Sequence, residues 1–279
     1  MNLLWLGDPK SFDVAVVGGK AANLSRLARM FHRVPDGFCI PVTLMDEAHP
    51  LDLRDEIITA TSYLMACHSL PELVVAVRSS AVDEDGAAAS FAGQHETYLN
   101  IVGANTIIQA VTRCWESARS ERALEYRRKQ GLSVERLQLA VFVQQLVASD
   151  VSAVVFSANP ITGSRDEIMI NASWGLGESI VGGTVTPDTF IVRKSDLAIT
   201  SRTVADKQRM TVSVPGGTRE VDVPRFLRAQ ASLNDEQAIE MAQLALTLDA
   251  TMSYPVDIEC AYAGGKLYLL QCRPITTLK

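Results

Sequence analysis

At 279 residues, 47% of them hydrophobic and 21% charged, the chain is long enough for a well-cored globular protein of one or two domains. A net charge of −6 leaves no basic footprint for nucleic acid or an anionic membrane, so any nucleotide site must be a local basic pocket in an acidic surface. Met1–Leu6 runs straight into Gly7-Asp8, no uninterrupted apolar run approaches the roughly 20 residues of a membrane helix, and Cys39, Cys67, Cys114, Cys260 and Cys272, without metal spacing, read as reduced thiols of a cytoplasmic protein.

Val14–Val17 has the composition of a short strand, and Gly18-Gly19 turns it into a helix whose apolar stripe is Leu24, Leu27, Ala28 and Phe31. Lys20 then sits in the first helical turn, where an ammonium can reach a phosphate held at the helix N-terminus. The plain alternative is an exposed lysine. Between Thr43 and Glu72 a single helix is expected, roughly Leu53–Cys67. Val74–Val77 is a buried-type strand that ends on Arg78-Ser79-Ser80, a guanidinium with two hydroxyls suited to phosphate oxygens, although a surface ion pair would use the same arginine. Three acids follow, then the small-residue run Gly86–Gly93, whose backbone N–H groups could approach an anion closely without having P-loop spacing.

Ile107, Ile108, Val111, Cys114, Trp115 and Ala118 stripe one long scaffold helix that carries Arg119, Arg122, Arg127 and Arg128 on a solvated face and ends near Gly131. Leu139, Val141 and Val143 alternate along a strand running into Gln144-Gln145. Val151–Phe156 and Glu167–Asn171 are the next strands, separated by the turn Asn159-Pro160-Ile161-Thr162-Gly163. In Trp174-Gly175-Leu176-Gly177-Glu178 the glycines serve either a close approach to a ligand or another lobe, or a plain helix entry. Thr189–Arg193 is a strand, Thr200–Gly217 a polar excursion without visible chemistry, and Asn234 with Gln237 a capping box opening a packing helix.

The last 24 residues carry the densest chemistry. Val256–Tyr262 and Lys266–Arg273 are alternating runs around Ala263-Gly264-Gly265, a β-hairpin. Period two places Asp257 and Glu259 on one face of the first strand and Gln271 and Arg273 on one face of the second. Two carboxylates and an amide oxygen are hard ligands suited to Mg2+, and an adjacent arginine can bind phosphate; a polar outer face of a half-exposed hairpin has the same pattern. Convergence of Asp257, Glu259 and Gln271 requires matching parity, which a three-residue loop supplies; a two-residue loop without a bulge would set Glu259 opposite Leu270 and turn Gln271 away.

Taken in order, Gly18-Gly19-Lys20-Ala21-Ala22-Asn23-Leu24, Val34-Pro35-Asp36-Gly37-Phe38, Arg78-Ser79-Ser80-Ala81, Ser90-Phe91-Ala92-Gly93-Gln94-His95-Glu96-Thr97, Phe156 with Asn159-Pro160-Ile161-Thr162-Gly163, Gly175-Leu176-Gly177-Glu178, Asp257-Ile258-Glu259 and Leu269-Leu270-Gln271-Cys272-Arg273-Pro274-Ile275-Thr276 resemble the nucleotide-binding module of the pyruvate phosphate dikinase and phosphoenolpyruvate synthase family, which includes the rifampin phosphotransferases. The resemblance covers the whole chain, with a shortened stretch at Thr43–Glu72. It implies an α/β (α+β) chain of ATP-grasp fold: one module over residues 1–279, with lobes near 1–145 and 146–279 and a hinge near 144–147, closing over a nucleotide cleft. It implies ATP and Mg2+ as cofactors, with Lys20, Arg78, Gly93 and Thr97 on phosphates and Gln144 beside the adenine. Glu259 and Gln271 would hold the metal with Asp257 in support, and Arg273 would face the reacting phosphates. His32, His49, His68 and His95 lie in no phosphohistidine motif, so the expected acceptor is a histidine on a separate partner protein or domain, with AMP and phosphate as products. A compact kinase acting on a small-molecule acceptor, and a regulatory ATP-binding module without turnover, are the alternatives.

Overall fold

A computed structural model describes residues 2–47, 50–82, 96–129, 131–135, 137–276 and 278. The described residues group into two compact units, Met1–Leu146 with Val214–Gly217, and Val147–Ser213 with Thr218–Lys279. Helices and antiparallel sheets are mixed in both, the α+β form of the expected class. No helix among the described residues is long and apolar enough to cross a membrane.

The first unit carries β1 (Leu4–Trp5), α1 (Val14–Arg29), β2 (Gly37–Ile40), α2 (Leu44–Glu47), α3 (Arg54–His68), β3 (Val74–Ala81), β4 (Thr97–Val102), α4 (Ala104–Ala118), α5 (Glu121–Lys129) and β5 (Leu139–Gln145). Its sheet has the order β1-β2-β5-β3-β4, antiparallel throughout. Alternation along the strands divides the sheet into two faces. Val75, Val77, Ala81, Leu139, Val141 and Val143 form one apolar core with Ile57 and Leu64 of α3 and with Ile107, Val111 and Trp115 of α4. The alternate positions, among them Arg78, Ser80, Phe142 and Gln144, face the other way, toward α1.

Two expectations for this unit fail for local reasons. Val14–Val17 is a helical turn and not a strand: Asp13 caps it by accepting from the Ala15 N–H at 2.9 Å, and the capping bond outweighs the weak strand preference of three valines. The helix then kinks at Gly18 (φ 74°, ψ 168°) and resumes. A Cβ at Gly18 would stand 2.1 Å from the Ser80 carbonyl oxygen, so only glycine lets α1 lie this close to β3. The long arginine-bearing helix is likewise two helices, α4 and α5. The Ser120 hydroxyl accepts from the Ala123 N–H at 3.3 Å and starts α5 anew. Arg127 is buried there, its Nε donating to the Ser133 carbonyl at 2.7 Å, so that arginine holds a loop and is not on a solvated face.

The second unit carries β6 (Val151–Phe156), β7 (Glu167–Trp174), α6 (Glu178–Val181), β8 (Asp188–Arg193), β9 (Ile199–Thr203), β10 (Arg209–Val214), β11 (Gly217–Asp222), α7 (Arg225–Arg228), α8 (Asp235–Met252), β12 (Val256–Ala263) and β13 (Lys266–Pro274). Six strands form an antiparallel sheet of order β13-β12-β6-β7-β8-β9, and β10-β11 is a separate ribbon. The Thr200–Gly217 excursion is therefore largely strand. The capping box at Asn234 and Gln237 forms as its spacing implies, and it opens α8, whose Ala238, Met241, Ala242, Ala245 and Leu248 are buried.

Candidate functional site

In the first unit the close approach at Gly18 sets the positions of two cations. The Ala21 N–H donates to Ser80 Oγ at 3.1 Å, and Lys20 Nζ donates to the Ser79 carbonyl at 3.1 Å, joining positions 59 apart in sequence. Lys20 is 6% exposed and Arg78 8%. Thr97 lies directly opposite Arg78 on β4, on the same sheet face and exposed. Gln144 lies on that face as well, but its amide donates to the Pro35 carbonyl at 3.1 Å and the residue is buried, so its side chain acts as a latch between β5 and the approach to β2. Gly93 and His95, with the rest of the small-residue run, lie outside the described residues.

In the second unit the faces of the hairpin are fixed by α8. The Tyr262 hydroxyl donates to Glu240 of α8, so Val256, Ile258, Cys260 and Tyr262 turn toward that helix and Asp257 and Glu259 turn away from it. The turn is two residues long, Ala263 pairing with Lys266 across Gly264 (φ 55°) and Gly265 (φ 72°), a left-handed pair suited to a tight hairpin. Of the two loop lengths that the sequence allows, the two-residue one is formed, which without a bulge would turn Gln271 away. Parity is restored elsewhere: the register shifts between Glu259 and Cys260, with Leu270 as the extra residue of a β-bulge, and Glu259 comes to stand opposite Gln271 and Asp257 opposite Arg273. The four polar side chains thus share one face of the hairpin.

Arg273 grips one oxygen of Asp257, Nε and Nη2 both reaching Oδ2, at 2.9 and 2.8 Å. The other oxygen, Oδ1, is buried and has no hydrogen-bond partner among the described residues. A buried carboxylate oxygen left open beside a second carboxylate and an amide is what a hard cation fits. Among the described residues no three His, Cys, Asp or Glu side chains cluster for a metal. Burial pushes the Asp257 carboxyl above its ordinary range; Arg273 pulls it back, and the nearby Glu259 carboxylate adds to the rise. A metal ligand must be deprotonated, so a cation held by Asp257 would bind more weakly as the pH is lowered toward that raised value.

Two features were not visible in the sequence. Lys207, within the polar excursion, is completely buried and donates to Asp188 Oδ1 at 2.6 Å, while Asp188 Oδ2 accepts from the Ser232 N–H and hydroxyl, each at 2.7 Å. In the Trp174–Glu178 stretch Gly175 serves protein packing and Gly177 is the N-cap of α6: a Cβ at Gly175 would meet the Thr211 carbonyl at 2.4 Å, and the Leu176 N–H donates to that same oxygen at 2.9 Å. Here the close approach is to the β10 backbone.

Residues 40–279 match the family model described as pyruvate phosphate dikinase, AMP/ATP-binding domain. The chain is 37% identical to a probable phosphoenolpyruvate synthase of Methanocaldococcus jannaschii, over 99% of this chain and 27% of that protein. It is 46% identical to the phosphoenolpyruvate synthase of Pyrococcus furiosus, over 82% of this chain and 29% of that protein. Against a rifampicin phosphotransferase of Streptomyces sviceus the identity is 36%, over 95% of this chain and 35% of that one. The chain therefore spans about a third of the length of these relatives.

Proposed function

Because the chain belongs to the pyruvate phosphate dikinase AMP/ATP-binding domain family, we propose that it binds Mg-ATP in the ATP-grasp manner, with lobes near 1–145 and 146–279 hinged near 144–147. The bound ATP is activated for phosphoryl transfer to a histidine on a separate protein or domain: one phosphoryl group goes to the histidine, another to water, and AMP and phosphate are released.

Lys20 and Arg78, with Thr97 and Gly93, hold the phosphates, since a buried lysine of α1 and a buried arginine of β3 offer charged donors where α1 packs on the sheet. Gln144 shapes the adenine side through the segment that it latches. Glu259 and Gln271 would hold Mg2+ with Asp257 in support, and the ion would supply neutralisation of the phosphate charge. Arg273, kept in place by Asp257, presents its guanidinium to the reacting phosphates. The observation that carries this reading is the bulge at Leu270, which sets Glu259 opposite Gln271 despite the two-residue turn. A hairpin serving only as a polar surface has no need of that register.

The test is incubation with ATP labelled at the β and γ positions, alone and with a histidine-domain protein from the same cell. Label on a partner histidine supports the proposal. AMP or ADP formed with a small molecule and no partner would replace it by a compact kinase, and ATP binding without any turnover would leave a regulatory module. No ATP binding at millimolar concentration, with or without Mg2+, would overturn all three. Lys20→Ala and Arg78→Ala are each expected to weaken ATP binding by about 10–100-fold, the scale of one charged hydrogen bond, measured by calorimetric titration. Wild-type affinity in Arg78→Ala would remove the phosphate role of β3.

A further inference from the structure

The register of the second unit's sheet sets one transverse row of residues on the polar face of the hairpin. Gln271 stands opposite Glu259, Glu259 opposite Val154, Val154 opposite Asn171, and Asn171 opposite Thr189. Directly opposed residues of antiparallel strands project to the same side, so Asn171 and Thr189 share the face of the candidate metal ligands. Val154, Asn171 and Thr189 are half-buried, as Glu259 is. The neighbouring row is covered: Ser152 and Ser173 are 2% and 0% exposed. The Ser152 hydroxyl donates to the Gly175 carbonyl at 2.8 Å, and a Cβ at Gly177 would stand 3.4 Å from the Ser152 Cβ. The segment from Gly175 to Gly177 therefore lies over one row and leaves the next partly open, a ledge that starts at Gln271 and Glu259 and ends at Asn171 and Thr189.

Asn171 Oδ1 accepts from the Thr189 hydroxyl at 3.0 Å. That bond orients the carboxamide, engages its oxygen and leaves the N–H2 group as the donor pair on the ledge. Asn171 is two strand spacings from Glu259, roughly 10 Å, which is too far for both to ligate one Mg2+ at about 2.1 Å. Carboxamide and hydroxyl are neutral, so they do not supply the counter-charge that a phosphate calls for. We propose that Asn171 is a specificity-determining residue whose amide N–H2 donates to a ribose hydroxyl of the nucleotide whose metal-bound phosphates lie at Glu259 and Gln271. The inference rests on the Mg-ATP reading and deepens it: a site that hydrogen-bonds a substrate hydroxyl rejects the analogue lacking it, because the polar group of the protein is then left unpaired.

The experiment is calorimetric titration of the full chain, at saturating Mg2+, with ATP, 2′-deoxy-ATP and 3′-deoxy-ATP. Wild type is compared with Asn171→Leu, which keeps the shape of the side chain and removes its donor, and with the smaller Asn171→Ala. Wild type is expected to bind one of the deoxy nucleotides about 3–10-fold more weakly than ATP, the scale of one neutral hydrogen bond. Both variants should lose that factor only for the nucleotides that carry the hydroxyl, so that the discrimination disappears. Equal affinity of wild type for all three nucleotides would overturn the proposal without any variant. Discrimination kept in the variants, or a loss shared equally by the three nucleotides, would overturn it as well, since a residue that merely holds the sheet together cannot tell one sugar from another. Those failures leave Mg-ATP binding in place, whereas wild type that binds no ATP would overturn the nucleotide reading and this inference with it.

Discussion

Glu259→Gln should lower ATP turnover by about 10²–10³-fold while leaving the fold intact, the scale seen when one charge-stabilising group is removed from a preorganised site. The substitution keeps shape and hydrogen-bonding length but removes the carboxylate charge that the proposed Mg2+ site requires. Glu259 is only partly buried and lies on the hairpin face turned away from α8, so the packing of Val256, Ile258 and Cys260 against that helix is untouched. The check is single-turnover AMP formation in the presence of the histidine-domain protein, beside near-ultraviolet circular dichroism, over a range of Mg2+ concentrations. Partial recovery at high Mg2+ would place the defect at the metal. Turnover within a factor of three of wild type would show that the hairpin face is not the metal site.

Lys207→Ala should cost about 3–5 kcal/mol of stability, because it strips a fully buried carboxylate of its ammonium partner. Asp188 keeps three other donors, the Ala205 N–H at 2.9 Å and the two from Ser232, and these cannot replace a full charge. Replacing both members, Asp188→Asn with Lys207→Met, removes both charges at once. The double variant is therefore expected to lose less than the sum of the two single variants, the sign of direct coupling. Urea denaturation followed by the fluorescence of the second unit reads the effect. A loss below about 1 kcal/mol in Lys207→Ala would mean that the pair is not the polar core its burial implies.

These two residues differ in how far the sequence alone announces them. Glu259 belongs to an alternating run beside Asp257, and the period of two is enough to place both on one face before any tertiary contact is known. Arg78 is legible as a charged residue behind an apolar run, but the strand does not end on it as its sequence suggests: β3 continues through Ser79 and Ser80 to Ala81, paired with β5. Lys207 has no such signal: its neighbours Ala205, Asp206 and Gln208 read as solvent-facing, and its partner is 19 positions away. Val14–Val17 misleads in the opposite direction, because β-branched composition suggests a strand where the Asp13 cap makes a helical turn.

The amino-acid sequence by itself determined the inventory and order of the chemistry: Lys20 after two glycines, Arg78 behind an apolar strand run, and the four polar residues of the closing hairpin, since each depends on the composition and period of its own segment. Tertiary structure alone decided which of these residues meet. Gly18 is seen to be obligatory only when the Ser80 carbonyl lies beside it, and Glu259 faces Gln271 only because the ladder slips by one residue at Leu270. A register shift and the burial of an ion pair are properties of two segments packed together, and no local pattern in either segment encodes them.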